Sequence, residues 1–417
     1  MSKLLINGGN KIFGKISVQG AKNSVLPILA ATVLCDDTCV IRNCPRLSDV
    51  SAAINILRHL GYNCDFRNNV VTVVPRMLLC NQIPNKLMLE MRSSIIFLGA
   101  ILAKCGNAVI STPGGCELGP RPIDLHIDAL KRLGANMTES HGYIEFSAPN
   151  GLVGAEITLS FASVGATENI ILAAATASGN TIIHNAAKEP EIQDLANFLN
   201  DCGAQIYGAG TDTITIVGVD RLHGCAHSII PDRIVAASYM AAAAITGGEI
   251  TLENVNPAHL VAVNSVFEES GCIVRCYENS VNLIAPTRLS RVSMIRTTIY
   301  PGFPTDAGPL VLAMLSISAG TSIVVENIFE NRFRYVDELR RLGAKIRVEG
   351  KVAIVEGVKT LSAASCKCTD LRGGAALVVA ALAAEGKTVI RDICHIKRGY
   401  EDICYNLSLL GADIIEV

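Results

Sequence analysis

A helical segment that ends in glycine and runs on into a strand recurs six times along the 417 residues. The glycines are Gly61, Gly134, Gly203, Gly271, Gly343 and Gly411, and successive ones stand 73, 69, 68, 72 and 68 residues apart. Before each lies an amphipathic stretch such as Leu130-Lys131-Arg132-Leu133, and alternating polar and apolar residues follow. The glycine stands where a helix C-cap needs a left-handed residue. Each repeat also carries a second helical stretch of small, almost uncharged residues: 24–34, 93–104, 167–177, 233–246, 308–318 and 373–384. A helix apolar on all sides is a buried helix. A repeat of about 70 residues with one buried helix, one amphipathic helix and several strands cannot cover itself, so it must pack against its siblings.

The length favours two domains, hence two α/β domains of three repeats each, with a boundary near 227–231. No apolar run reaches the roughly 18 residues of a membrane span, and the N-terminus lacks the pattern of a signal peptide, so a cytoplasmic protein is expected. With 36 basic against 38 acidic residues and no basic run, nucleic-acid binding is not expected either. The fifteen cysteines are scattered through apolar segments, as suits a reducing compartment. The closest pairs, Cys366-x-Cys368 and Cys272-x3-Cys276, lack a matching second pair, so no metal site is predicted.

The chemistry-bearing stretch is Pro113-Gly114-Gly115-Cys116-Glu117-Leu118-Gly119-Pro120-Arg121-Pro122-Ile123-Asp124-Leu125-His126. Gly-Gly reads as a mobile loop, while Pro120 and Pro122 stiffen the backbone around Arg121. A movable thiol beside a fixed guanidinium suits a small anionic substrate under a lid. Each buried helix also has a charge near its start: Lys22, Arg92, Glu168, Asp232, Asp306 and Arg372. Capping explains the acids, but cations are disfavoured at helix N-termini unless an anion sits there. Gathered N-termini would favour phosphate and carboxylate ligands. Other candidates are Asn23 in Gly20-Ala21-Lys22-Asn23, the turn Ser163-Val164-Gly165, and Asp306 after the proline-bounded turn 300–305. The acidic turn Lys188-Glu189-Pro190-Glu191 reads equally well as solvent surface. Arg332 and Arg398, each near an aromatic residue, read equally well as surface packing.

Taken together, these motifs resemble the UDP-N-acetylglucosamine 1-carboxyvinyltransferase family of enolpyruvyl transferases. The likeness runs end to end through Gly20-Ala21-Lys22-Asn23, Met91-Arg92, the Cys116 loop with Arg121-Pro122-Ile123-Asp124, and Ser163-Val164-Gly165-Ala166-Thr167. It continues through Pro231-Asp232-Arg233, Phe303-Pro304-Thr305-Asp306, Phe329-Glu330-Asn331-Arg332-Phe333, Asp370-Leu371-Arg372 and Arg398-Gly399-Tyr400. The resemblance implies a two-domain inside-out α/β barrel of six βαβαββ-type repeats. The first domain would be 22–230 and the second 1–21 plus 231–417, with the N-terminal strand returning to complete the second and the active site in the cleft.

The family moves the enolpyruvyl group of phosphoenolpyruvate to the 3′-hydroxyl of UDP-N-acetylglucosamine, the first committed step of peptidoglycan precursor synthesis. By resemblance, Cys116 protonates carbon and Asp306 takes the hydroxyl proton. Lys22, Arg121 and Arg398 would hold phosphate, and Arg332 and Arg372 the carboxylate, with Arg92 nearby. Asn23 would bond the sugar. Arg121, Pro122, Ile123, Asp124 and Leu125 would hold the uridine diphosphate together with Ser163, Val164 and Gly165, and Ile328 would line the same surface. No metal, organic cofactor or obligate protein partner is implied. Two departures are Ala307-Gly308, where the family usually has Met-Gln, and Glu117 with Pro120 in the loop. Two rival readings are a shikimate-pathway enolpyruvyl transferase, which lacks a Pro-Gly-Gly-Cys loop, and a non-catalytic UDP-sugar-binding paralogue.

Overall fold

The structure, a computed structural model, describes residues 2–76, 80–111 and 123–417, without the side chains of Arg92 and Ser140. Contacts divide the chain into two compact domains: Met1–Gln19 with Pro231–Val417, and the described residues of 20–230. Among the described residues, no helix is long and apolar enough to cross a membrane.

Each repeat is a four-stranded sheet, with one parallel pair and two antiparallel pairs. In the third repeat the strand Glu156–Thr158 runs parallel to Asn180–His184. The buried helix Val164–Ala174 makes the crossover between them, as a parallel connection requires. The outer helix Pro190–Asp201 then leads to the hairpin Gln205–Tyr207 and Thr213–Val217. Repeats two and five follow the same order, giving the βαβαββ plan.

The remaining repeats borrow a strand. Phe13–Ser17 precedes the first buried helix, Lys22–Ala31, yet pairs in parallel with Glu249–Glu253 of the fourth repeat. Ala226–Ser228 precedes the fourth buried helix, Arg233–Thr246, yet pairs with Cys39–Arg42 of the first. The first and fourth repeats thus exchange strands, and each sheet lies within one domain. Lys3–Asn7 lies antiparallel between Lys387–Arg391 and Asp413–Glu416 of the sixth repeat. The N-terminal segment therefore supplies two strands to two sheets, where the sequence suggested a single returning strand.

All six repeat glycines have positive φ, between 90° and 109°. Each closes its helix with the paired bonds of a Schellman motif; Gly61 N–H donates to Arg58 O and Tyr62 N–H to Leu57 O. The buried helices of the second domain, Arg233–Thr246, Gly308–Leu315 and Leu371–Leu382, pack on one another, and nearly every residue in them is buried. In the first domain, Phe97–Cys105 packs against both Val164–Ala174 and Lys22–Ala31. Gly99 makes one of these approaches possible, because a Cβ there would lie 2.4 Å from Asn169 O. The Asn169 side chain completes the join, accepting from Gly99 N–H at 2.7 Å and donating to Ile95 O at 2.9 Å.

Candidate functional site

In the second domain the turn ahead of the fifth buried helix presents Asp306. Arg332 donates from Nη2 to one carboxylate oxygen at 2.8 Å and to Thr305 O at 2.9 Å. Arg372 donates from Nε to the other oxygen at 3.2 Å, and its Nη2 stands at the same distance. Both guanidiniums are almost wholly buried, at 3% and 4% side-chain exposure, whereas Asp306 is 27% exposed. Burial alone would lower the pKa of Arg372, but Asp306, Tyr400 and Asp232 together outweigh it and raise the guanidinium above its usual value. Removing one member of such a buried pair costs about 3–5 kcal/mol.

Supporting groups fix the geometry. Glu326, buried, accepts from Thr305 Oγ1 at 2.9 Å and from the N–H groups of Ile328 and Phe329 at 2.8 and 3.0 Å. It ties the Asp306 turn to the segment that leads into Arg332. Phe329 lies under the Arg332 guanidinium, 5.4 Å from ring centre to Cζ. Tyr400 is buried against Arg372, and its hydroxyl lies 2.6 Å from Ser238 Oγ of the fourth buried helix. The Arg398 turn packs on the start of the sixth buried helix because Gly399 leaves no Cβ, which would lie 2.8 Å from Leu371 Cδ2. The Gln19 side chain clamps that turn, donating to Gly399 O and accepting from Glu401 N–H. Arg332 Nε is buried without a hydrogen-bond partner among the described residues. An orphaned cationic donor of this kind fits an anionic ligand.

In the first domain, Lys22 opens the first buried helix and pairs with Asp49 at 2.7 Å, with side-chain exposures of 10% and 2%. Asn23, next along, is exposed. Ser163 caps the third buried helix, its Oγ accepting from Ala166 N–H at 3.3 Å, and Ser163, Val164 and Gly165 are half-buried. His126 reaches that turn: a Cβ on Gly165 would lie 3.2 Å from its Cε1, and Asn169 Nδ2 lies 2.7 Å from its Nδ1. Burial pushes the His126 pKa down to about 4. Glu168 is pushed the opposite way, well above the usual carboxylate range, by burial and then by Glu191 and Glu189. His126 is therefore uncharged at neutral pH.

Several sequence readings change. Of Glu168, Asp232 and Asp306, the acids singled out near buried-helix starts, only Asp232 caps, accepting from Ile234 and Val235 N–H. Asp306 binds two arginines instead, and Glu168 lies inside its helix, which Ser163 caps. The cations are balanced within the chain, Lys22 by Asp49 and Arg372 by Asp306, so an external anion is not needed to explain them. Glu191 is buried rather than solvent surface, and Arg332 is no surface arginine. Ile123, Leu125, Ile328 and Arg398 are half-buried and Asp124 is exposed. Cys116, Arg121, Pro122 and the Arg92 side chain lie outside the described residues. Asp49 and Glu326 were missed. An acid in a first helical turn is ordinary, and nothing in the sequence around Glu326 marks it.

Residues 6–407 match the family described as EPSP synthase (3-phosphoshikimate 1-carboxyvinyltransferase). The chain is 50% identical over its whole length, and that of the relative, to UDP-N-acetylglucosamine 1-carboxyvinyltransferase 2 of Caldanaerobacter subterraneus. It is 47% identical to UDP-N-acetylglucosamine 1-carboxyvinyltransferase 1 of Symbiobacterium thermophilum, covering all of this chain and 95% of that one. Among solved structures, the enolpyruvyl transferase NikO from Streptomyces tendae superposes with a TM-score of 0.89 at 24% identity, covering 100% of this chain and 99% of that one. An EPSP synthase from Acinetobacter baumannii superposes with 0.76 at 19%, covering all of both chains. These last two establish the two-domain α/β fold.

Proposed function

We infer that this chain, which belongs to the UDP-N-acetylglucosamine 1-carboxyvinyltransferases within the enolpyruvyl transferase family, acts as such an enzyme. It transfers the enolpyruvyl group of phosphoenolpyruvate to the 3′-hydroxyl of UDP-N-acetylglucosamine and releases phosphate, a step of peptidoglycan precursor synthesis. The observation that carries the chemistry is the carboxylate of Asp306, held on both oxygens by buried arginines and exposed on its outer side.

The donor's carboxylate takes hydrogens from Arg332 and Arg372, including the unsatisfied Nε of Arg332. That exchange would release Asp306 Oδ1 from Arg332 to accept the hydroxyl proton. Cys116 gives its thiol proton to the methylene carbon; an ordinary thiol, with a pKa near ~8.5, is mostly protonated at neutral pH. The sugar hydroxyl attacks the resulting oxocarbenium-like carbon as Asp306 accepts its proton. A methyl proton and inorganic phosphate then leave, and the enol ether remains. Lys22, Arg121 and Arg398 hold the phosphate, with Arg92 nearby. Asn23 bonds the sugar. Arg121, Pro122, Ile123, Asp124, Leu125, Ser163, Val164 and Gly165 hold the uridine diphosphate, and Ile328 lines the same surface. Relatives near 50% identity and the Pro-Gly-Gly-Cys loop both favour the UDP-sugar over shikimate 3-phosphate as acceptor.

The test is phosphate release from phosphoenolpyruvate with each acceptor in turn. Release with the UDP-sugar alone is expected, and Cys116→Ala should lower it about 10²–10⁴-fold while sugar binding persists. Full turnover in Cys116→Ala would remove the thiol from its role. Silence with both acceptors, in protein that binds the UDP-sugar, would instead identify a binding paralogue.

A further inference from the structure

Three cysteines of the first domain converge sulfur to sulfur, and a fourth stands beside one of them. Cys35 follows the first buried helix, and Cys39 opens the strand Cys39–Arg42. Cys202 ends the outer helix Pro190–Asp201, and Cys225 stands just before the exchanged strand Ala226–Ser228. The Sγ atoms of Cys35, Cys39 and Cys202 all lie within 4.8 Å of one another. Cys202 Sγ donates to Cys225 Sγ at 3.3 Å. The first three are 0–1% exposed and Cys225 is half-buried; all four are reduced.

Cysteine used as a small apolar residue gives no reason for three sulfurs, brought from segments far apart in sequence, to face one another with a fourth beside them. Thiols are weak donors and weak acceptors, so such a cluster gains little from its own hydrogen bonds. A tetrahedral thiolate site explains the convergence. With Zn–S bonds of about 2.3 Å, sulfurs at tetrahedral corners stand about 3.8 Å apart. That spacing is compatible with Cys35, Cys39 and Cys202, which lie within 4.8 Å of one another; Cys225, outside that group but 3.3 Å from Cys202, would close in as the fourth ligand. The other scattered cysteines form no such group among the described residues.

We propose that Cys35, Cys39, Cys202 and Cys225 form a closed structural site for Zn²⁺, remote in role from the transfer chemistry. Four protein ligands leave no open position, so the ion would be structural. It would tie the first repeat, the third repeat and the strand Ala226–Ser228 together within the first domain. Each thiol still protonated would release its proton on binding, so occupancy should weaken as pH falls. The sequence reading predicted no metal site because Cys366-x-Cys368 and Cys272-x3-Cys276 lack second pairs. Cys35-x3-Cys39 acquires its partners only through the third repeat.

The full-length chain, purified under reducing conditions and stripped by chelation, is titrated with Co²⁺ and then Zn²⁺. The expected result is the charge-transfer and ligand-field spectrum of tetrahedral cobalt thiolate at about one ion per chain, abolished by Zn²⁺. Zn²⁺ should also protect these four cysteines from alkylation, read by peptide mass mapping. Cys39→Ser and Cys225→Ser should each weaken binding by at least about tenfold, and Cys366→Ser, in the other domain, should not. If Cys39→Ser fails to fold, the partly exposed Cys225→Ser carries the comparison. The proposal falls if no thiolate spectrum forms, if Zn²⁺ leaves alkylation unchanged, if binding survives in Cys225→Ser, or if purified protein holds a Cys202–Cys225 disulfide.

Discussion

The two domains each place an ion pair at the start of a buried helix, but they turn opposite charges outward. In the first, Asp49 is sealed at 2% exposure and Lys22 is the more open partner at 10%. In the second, Arg332 and Arg372 are sealed at 3% and 4%, and the carboxylate of Asp306 is open at 27%. The inner member of each pair neutralises the outer one, which keeps a charged group stable in an apolar setting. In the proposed reaction the outer member is what a ligand would meet, Lys22 a phosphate and Asp306 the hydroxyl proton.

The sharpest way to break that contrast is Asp306→Asn, which keeps the shape but removes the proton acceptor. Phosphate release should fall about 10²–10⁴-fold while UDP-sugar binding, followed by calorimetry, persists. Normal turnover would mean that Asp306 only anchors arginines. Next is Lys22→Met, expected to lower turnover about a hundredfold or more and to destabilise the fold by about 3 kcal/mol by depriving Asp49 of its ion pair. Adding Asp49→Asn should restore much of the stability in denaturant unfolding and none of the turnover. If turnover returned as well, Lys22 would be a structural residue alone.

The pH dependence sharpens the picture of the first domain. His126 binds a proton below about 4 when folded but near 6.5 when unfolded. The unfolded chain therefore holds more protons between those values, and stability falls as pH drops from 6.5 towards 4, by about 3 kcal/mol in all. Above pH 6.5 this group contributes no slope. Chemical denaturation across that range should show the loss, and His126→Gln should flatten it.

The smallest effect concerns the departure at Ala307-Gly308. A Cβ on Gly308 would meet only Thr297 Cγ2, at 3.8 Å, so Gly308→Ala should stabilise by up to about 1 kcal/mol in thermal unfolding. Ala307 is fully buried, and Ala307→Met should destabilise by about 1–3 kcal/mol. A neutral Ala307→Met would show that the helix start already accommodates the family's larger residue.

Much of the scaffold was legible along the chain. The six glycines took the left-handed conformation that a helix followed directly by a strand demands, and the six uncharged stretches became buried helices, because both signals are local. The pairing of the N-terminal segment with two sheets was not, since a strand's partner is fixed by what lies beside it. Lys22 and Arg372 stood out as cations in unfavourable surroundings and Asp306 as a placed carboxylate, but Arg332 read equally well as surface packing and the pairings among these groups were not legible. Asp49 lies 27 residues from Lys22, and Asp306 lies 26 from Arg332 and 66 from Arg372.

What the sequence determined by itself is the repeat, the buried and amphipathic helices within it, and the family with its reaction. These follow from periodicity, capping chemistry and the order of motifs, each readable within a few residues. Tertiary structure decided which charge of each pair faces outward, which strands the first and fourth repeats exchange, and that Cys35 and Cys39 meet Cys202. Those depend on packing between segments distant in the chain. Exposure and sulfur-to-sulfur distance are properties of the assembled core, and no local pattern encodes them.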